Sequence, residues 1–233
     1  MRLFTAIVAP DARLKPGATP EWIHVSLQRA WAPRNTAVAE VVRTALVLCA
    51  DHELNVSAFT ARCVASAGAS PYDTVSAALA ALKGNRHGGE SARVSALLAE
   101  IGSPARTRGV VANRLRQGER IPGFGHPLYP GGDPRAERLV RLAERSGHTR
   151  EWALVRSVRA AAADLLQEQP NLDFGLAAIA RTYRLPEQAP LILFALGRTA
   201  GWVAHAIEQY ATATLIRPRA RYTGPPVRSG AGL

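Results

Sequence analysis

The sequence is poor in cysteine, methionine and aromatic residues, and the shortage of cysteine limits what the chain can be. Among 233 residues there are two cysteines, Cys49 and Cys63, both in a segment with a helical pattern. Fourteen residues of helix would separate them by about 21 Å, too far for a disulfide. We therefore expect a reduced, intracellular protein, and a chain of this length can bury a core without disulfides or a metal.

Long apolar runs are also lacking. No run approaches the roughly 18 apolar residues of a membrane-spanning helix, so we predict a soluble cytoplasmic protein that does not bind membranes. Residues 1–12 contain one arginine and a seven-residue apolar run. Such a run is at the short limit of a signal-peptide core, and we do not expect export.

Acidic residues are in the minority. Lysine and arginine number 29 against 18 aspartates and glutamates, which gives a formal net charge of +11. This excess predicts anionic partners: nucleic acid, phosphate-bearing cofactors or polycarboxylates. The basic residues are spread along the chain and aromatic residues make up 6% of it. Nucleic-acid binding is therefore the weakest of the three readings.

What the sequence does contain is helical periodicity. Alanine-rich segments carry apolar residues at i, i+3 and i+4 spacing, none shows sustained strict alternation, and the pattern predicts an all-α protein. Glycine and proline interrupt it at Ser70-Pro71, at Gly84-Asn85 and in a cluster at 122–134. Segments 1–35 and 220–233 have little periodicity. We predict helices at about 36–66, 72–83, 91–101, 134–147, 151–167, 174–183 and 188–213.

Four residues are of catalytic type: His52, His87, His126 and Asp173. The pattern places His52 inside the predicted helix 36–66, His87 between helices, His126 in the Gly/Pro loop and Asp173 at a helix start. Each also has a structural explanation, because a lone histidine is often a core residue and an aspartate at a helix start is often a cap. His87 directly precedes Gly88-Gly89 and a helix, where the dipole favours neutral imidazole. A neutral imidazole can donate a hydrogen bond to a carbonyl oxygen, although the glycines would also suit a simple turn.

Arginines accompany these residues. His126 lies in IPGFGHPLYPGGDPRAERL, where Asp133 and Pro134 predict a helix start that puts Arg135 in the first turn. A bound carboxylate would offset the unfavourable dipole there, and surface solvation is the alternative. Arg198 lies in an almost wholly apolar run and Arg217 in LIRPRA. A buried guanidinium needs an anionic partner, which is either part of the fold or a ligand.

Six motifs in order resemble the citrate synthase family. They are ADHELNVSAF, KGNRHGG, GFGHPLYPGGDPRA, PNLDFG, FALGRTAGWVAHAIEQ and IRPRARYTG, and the resemblance covers about residues 40–225. It implies an all-α, multi-helical fold with two domains. The large, dimer-forming domain would be partial, at 1–96 and 189–233, and a small mobile domain at 97–188 would close over the site.

The resemblance also implies roles for three residues. His87 would hydrogen-bond the thioester oxygen of acetyl-CoA as the enol forms. Asp173 would remove a methyl proton, and His126 would polarise the keto carbonyl of oxaloacetate. The substrate-binding set would be His52, Arg135, Arg198 and Arg217, which would hold carboxylates, with Phe194 lining the pocket. Arg217 is expected to reach the site of a second subunit.

The implied reaction condenses acetyl-CoA, or another short acyl-CoA, with oxaloacetate to give citrate and CoA. Alternatives are 2-methylcitrate synthesis, cleavage of citryl-CoA, and a non-catalytic partner subunit of a split enzyme. We expect no metal and no tightly bound cofactor, since the CoA thioester is a substrate, and loop 121–130 should lie near CoA. The partner would be a second copy or a homologous chain.

The chain also departs from the family pattern. Family members are usually longer by a helical amino-terminal half. Relatives often have a histidine where this chain has Cys49, and an asparagine-containing segment where it has Glu90-Ser91. These departures leave the proposed site residues in place.

Overall fold

The structure is a computed structural model that describes residues 21–84, 87–146 and 149–225. Within these ranges the chain forms helices and isolated bridges but no strand, which confirms the all-α prediction. Residues 1–12, considered above for export, lie outside the described ranges. The helices are α1 (Ile23–Trp31), α2 (Ala37–Cys49), α3 (Val56–Ser66), α4 (Pro71–Leu82), α5 (Glu90–Ile101), α6 (Thr107–Arg116), α7 (Pro134–Glu144), α8 (Thr149–Leu165), α9 (Leu172–Thr182) and α10 (Ala189–Thr212), with a 3-10 turn at Pro104–Arg106.

One predicted helix was wrong. The alanine-rich segment 36–66 is two helices, because the chain leaves helical geometry after Cys49 and starts again at Val56. Asn55 causes the restart: its side chain accepts a hydrogen bond from the Ala58 amide and caps α3. His52 therefore lies in a turn between helices, not inside one as predicted. The two cysteines lie in different helices and are both free.

Two helices were not predicted. Helix α1 lies in the segment of low periodicity before residue 35, where Leu27 is fully buried against α2. Helix α6 buries two residues, Thr107 and Val111, so its apolar stripe is too narrow to recognise from spacing. The division into a large and a small domain stays a prediction.

Helices α9 and α10, which carry Asp173 and Arg198, each pack against several other helices. Helix α10 packs against α2, α3 and α4, while α9 packs against α5, α7 and α8. Gly197 and Gly201 let α10 approach the end of α2: a Cβ on Gly201 would lie 2.4 Å from the Ala50 carbonyl oxygen. The Gly201 amide donates to that same oxygen at 2.9 Å. Close approach here brings Arg198, between the two glycines, to the carboxyl end of α2.

By length and composition, α10 could also cross a membrane, and it is the one helix of the described ranges that could. In this fold 56% of its most apolar window is buried within the protein. Soluble core helices pass the same test, so the observation is weak evidence for a span.

Candidate active site

Arg198 is buried without a carboxylate partner. Its side chain is 1% exposed, its Nε donates to the Cys49 carbonyl oxygen at 2.7 Å, and its guanidinium carbon lies 4.9 Å from the ring centroid of Phe194. No ion pair joins it to an acidic residue in the part of the chain that the structure describes. Burial lowers the pKa of Arg198 from its ordinary value. Since a buried cation is costly unless paired, this site is prepared for an anion.

His87 lies in the turn before α5. The turn needs glycine next to it, because a Cβ on Gly88 would meet the Leu82 carbonyl oxygen at 2.5 Å. The ring of His87 lies edge-on to Phe194, with centroids 6.0 Å apart. Burial, followed by the charge of Arg198, lowers the pKa of His87. Both effects favour the neutral imidazole, whereas the sequence predicted a neutral ring from the dipole of α5.

Ser57 determines the tautomer of His87. The Ser57 hydroxyl donates its one hydrogen to Asn55 Oδ1 at 2.8 Å, accepts from the Trp202 indole at 3.1 Å and lies 2.8 Å from His87 Nε2. Because that hydrogen is used by Asn55, His87 donates from Nε2 to the Ser57 oxygen, and the proton of the neutral ring is on Nε2. Rotation of the hydroxyl toward Nε2 would move the imidazole proton to Nδ1, from which His87 could donate to a ligand.

The loop that carries His126 is tied to the start of α9. Gly125 donates from its amide to the Gln169 carbonyl oxygen at 2.9 Å, and Asn171 donates to the Gly123 carbonyl oxygen at 2.9 Å. Gly123 and Gly125 have φ values of 89° and 73°, which a side chain would strain. The Pro/Gly loop predicted from the sequence is thus held in place by a short antiparallel pairing.

His126 is also neutral and has a fixed tautomer. Its Nδ1 accepts a hydrogen bond from the Leu128 amide at 3.1 Å, so the proton of the neutral ring is on Nε2. Burial and the nearby Arg135 lower the pKa of His126. Its ring lies 5.2 Å from that of His52, at nearly a right angle. Nε2–H is therefore available as a donor to a bound oxygen.

Tyr129 joins the histidines and was not selected from the sequence. Its hydroxyl lies 3.0 Å from His52 Nε2, its ring lies 5.0 Å from the ring of His126, and the guanidinium carbon of Arg135 is 5.3 Å from its centroid. Its only sequence signal was its place in the loop motif. Burial, followed by the charge of Arg135, lowers the pKa of His52, which favours its neutral form.

Asp133 and Arg135 form a bidentate pair at the start of α7. Arg135 Nε and Nη2 donate to the two carboxylate oxygens at 2.9 and 2.7 Å, and Asp133 also accepts from the Arg135 amide, which confirms the predicted cap. Burial alone would raise the pKa of Asp133, but Arg135 holds it below its ordinary value. The same carboxylate accepts from the Leu172 amide at 3.1 Å. Asp133 thus joins α7 to α9.

Asp173 is the second residue of α9, and it is not the helix cap. Asn171 caps the helix by accepting from the amides of Asp173 and Phe174. The Asp173 side chain is partly accessible, but its Oδ1 is buried without a hydrogen-bond partner. Burial, then the charge of Glu90, raises the pKa of Asp173 to about 7, against the opposing effect of Arg135. A base with this pKa is suited to proton transfer near neutral pH.

These groups influence one another electrostatically and form one cluster: Asp173 interacts with Arg135 and Arg198, and Arg198 with His52 and His87. Arg217 is the exception. It is exposed in the extended segment after α10, and no described contact joins it to the cluster. No group of three or more potential metal ligands occurs in the described ranges.

Most of the chain matches a known protein family. The family model "Citrate synthase, C-terminal domain" matches residues 7–219. The chain belongs to the citrate synthase family. It is 37% identical over 190 residues to citrate synthase 2 of Bacillus subtilis, which covers 80% of this chain and 51% of that protein. The chain thus spans about half the length of this curated relative.

Solved structures of the family share the fold. A ternary complex of citrate synthase from Thermoplasma acidophilum with carboxymethyl coenzyme A and oxaloacetate aligns with a TM-score of 0.82 at 28% identity. The alignment covers 99% of this chain and 66% of that one. Citryl-CoA lyase from Hydrogenobacter thermophilus aligns with a TM-score of 0.76 at 26% identity, over 88% of this chain and 85% of that one. This lyase is therefore close to the present chain in length.

Proposed function

We propose that this chain catalyses a citrate synthase-like acyl transfer, in which a short acyl-CoA condenses with oxaloacetate to give citrate, or its homologue, and free CoA. The observation that carries the proposal is that one cluster contains both Asp173 and a buried Arg198 that has no carboxylate partner. The first group has the pKa of a base, and the second requires an anion.

The first step is enolisation of the thioester. Asp173 accepts a proton from the methyl carbon, and the electron pair of the broken C–H bond moves toward the thioester oxygen. His87 stabilises that oxygen by donating a hydrogen bond from Nδ1, which requires the Ser57 hydroxyl to turn its hydrogen from Asn55 Oδ1 to His87 Nε2. A carboxylate is a weak base for a carbon acid, so this stabilisation is needed for the transfer.

The second step forms the carbon–carbon bond. The enolate carbon attacks the keto carbon of oxaloacetate while His126 donates a hydrogen bond from Nε2 to the keto oxygen. The resulting alkoxide becomes a hydroxyl by net transfer of the proton that Asp173 removed, which leaves Asp173 ionised and His126 neutral. Arg198, Arg135 and His52 hold the carboxylates and orient the carbonyl, which makes the attack effectively intramolecular. Water then hydrolyses the citryl thioester to citrate and CoA. The ligands in the T. acidophilum complex, an acyl-CoA analogue and oxaloacetate, support this assignment.

We also propose that the site is completed by a second subunit, either another copy or a longer homologous chain. Exposed apolar side chains lie along α3 and α10, where Val56 and Ile207 are 63% and 62% exposed and Phe59 and Val203 are also exposed. A partner that covers this face would remove it from water. Arg217, exposed beyond the end of α10, would then reach the partner's site, as the family resemblance implies.

Cleavage of citryl-CoA is the second candidate. It uses the reverse of the same bond-forming step, and Asp173 would return a proton to the departing enol. The observation that favours it is the fold shared with the solved citryl-CoA lyase of H. thermophilus, which aligns with a TM-score of 0.76.

One assay panel separates the candidates. Purified chain is mixed with acetyl-CoA or propionyl-CoA, with and without oxaloacetate, and free thiol is followed. A parallel reaction starts from citryl-CoA and measures acetyl-CoA. Thiol release that requires oxaloacetate supports synthesis, and a preference for propionyl-CoA indicates 2-methylcitrate formation. Acetyl-CoA formed from citryl-CoA without thiol release supports the lyase.

Absence of turnover in every reaction at high enzyme concentration would contradict the proposal for the chain alone. Repeating the panel with a longer homologue, and measuring the mass of the complex in solution, tests whether the chain is a partner subunit. Nucleic-acid binding would appear as an affinity that falls steeply with salt.

A further inference from the structure

Glu90 joins the three segments that carry the catalytic candidates. It is the first residue of α5, three positions after His87. Its Oε1 accepts a hydrogen bond from the Gly123 amide at 3.2 Å, and Oε2 pairs with Arg93 Nη1 at 3.2 Å. Both carboxylate oxygens are therefore used, one to hold the loop of His126 and the other to hold the glutamate on its own helix.

Gly123 is the point at which this contact reaches α9. Its amide is held by Glu90, while its carbonyl oxygen accepts from the Asn171 amide at 2.9 Å. No larger residue fits at Gly123, since a Cβ there would lie 2.7 Å from Val94 Cγ2 and 3.1 Å from Phe174 Cβ. Asn171 is two residues from Asp173, and Gly123 is three residues from His126. Gly123 thus links Glu90 to the segments that carry both His126 and Asp173.

We propose that Glu90 is a positioning residue for the condensation, whose carboxylate holds the His126 loop at Gly123 against the turn of His87 and the start of α9. This inference rests on the proposed function. The carboxylate would not touch the substrate. It would act by keeping His126 and Asp173 at fixed positions relative to His87. Small displacements of reacting groups are costly because the rate depends on near-attack geometry.

The charge of Glu90 has a second effect, on Asp173. The charged groups around Asp173 are Glu90 on α5, Asp133 and Arg135 at the start of α7, and Arg198 on α10. After burial, Glu90 makes the largest contribution that raises the pKa of Asp173. Removing the negative charge while keeping the hydrogen-bond acceptor should therefore lower the pKa of Asp173 without releasing the loop.

Two variants of Glu90 separate these effects. Glu90→Gln keeps an oxygen that can accept from the Gly123 amide and removes the charge. Glu90→Ala removes both. Glu100→Gln is the matched control, because it neutralises another glutamate on α5 that pairs with Arg114 on α6. Each full-length protein is assayed for the pH dependence of kcat and KM, and its Gly123 amide and Asp173 carboxyl are followed by NMR without substrate.

We expect Glu90→Gln to keep kcat at its optimum within about threefold, and to move the acidic limb of the profile to lower pH. Glu90→Ala should lower kcat by about tenfold or more and move the Gly123 amide proton upfield. Glu100→Gln should resemble the wild type. The proposal is overturned if Glu90→Ala keeps wild-type kcat and an unchanged Gly123 amide, or if Asp173 titrates identically in Glu90→Gln and wild type. If the wild type shows no turnover, the proposed function fails, while the NMR measurements still decide the role of Glu90.

Discussion

Arg198 donates a hydrogen bond from Nε to the backbone carbonyl oxygen of Cys49 at 2.7 Å, across the closest approach of α10 to α2. This contact fixes the guanidinium plane and leaves the remaining N–H donors for a ligand. It also explains why a cysteine is acceptable at position 49: the contact uses the backbone, and burial raises the pKa of the thiol to about 12, which keeps it neutral.

Arg198→Lys should therefore impair binding of the keto acid far more than folding. Lysine keeps the charge but has neither the Nε contact with Cys49 nor the planar fork that matches a carboxylate. We expect the dissociation constant for oxaloacetate to rise by about tenfold to a hundredfold, which calorimetric titration would measure. Arg43→Lys, in an exposed ion pair with Glu40 on α2, is the control. Unchanged affinity in Arg198→Lys would contradict the assignment of Arg198.

Ser57→Ala should damage both stability and turnover. It leaves the Trp202 indole and His87 Nε2 without their partner, and a buried unsatisfied donor costs about 1–3 kcal/mol of the free energy of unfolding. It also removes the group that selects the tautomer of His87, so kcat should fall by about tenfold while KM for the acyl-CoA changes less. Chemical denaturation and steady-state kinetics measure the two effects.

Ser95→Ala is the matched control for Ser57, because Ser95 lies on α5 and its hydroxyl bonds to a carbonyl oxygen of its own helix. It should be close to wild type in both measurements. A Ser57→Ala protein with full activity would show that the tautomer of His87 is set in another way.

Tyr129→Phe tests the residue that sequence reasoning missed. It retains the ring beside His126 and removes the hydroxyl that lies 3.0 Å from His52. We expect KM for oxaloacetate to rise about threefold to tenfold, with a smaller change in kcat, because His52 loses one hydrogen bond that orients it. Steady-state kinetics with varied oxaloacetate measure the change, and wild-type KM would contradict a role for the hydroxyl.

The pKa of Asp173 predicts how stability depends on pH. Its ordinary value is 3.8 and burial raises it to about 7 in the folded protein, so between these values the folded state holds a proton that the unfolded state has lost. The contribution of this group to the free energy of unfolding is therefore greatest at low pH and decreases as pH rises from about 4 to about 7. Asp173→Asn should reduce this decrease, as measured by denaturant unfolding at several pH values. An unchanged pH dependence in the variant would contradict the raised pKa.

Whether a feature of the fold or the site can be predicted from the sequence depends on how far apart in the chain the interacting residues lie. The helix start at Asp133-Pro134 follows from neighbours in sequence, and the structure confirms it. The lowered pKa of His87 comes instead from burial and from Arg198, which is far away in the chain. His52 was placed wrongly in a helix, because the cap at Asn55 was hidden by the apolar pattern around it.

Interactions between distant segments left no such signal. The contact of Glu90 with Gly123, and of Tyr129 with His52, joins residues far apart in the chain, and spacing carries no information about them. The carbonyl partner of Arg198 is equally invisible, because any residue at position 49 would supply it.

In the proposed reaction, Asp173 removes the proton that starts the condensation. The most direct test of this role is release of thiol from acetyl-CoA in the presence of oxaloacetate, compared between wild type and Asp173→Ala, with oxaloacetate binding measured on both proteins. We expect oxaloacetate-dependent release by the wild type, and none above background in the variant with nearly unchanged oxaloacetate binding. Release by the variant at the wild-type rate would contradict this role.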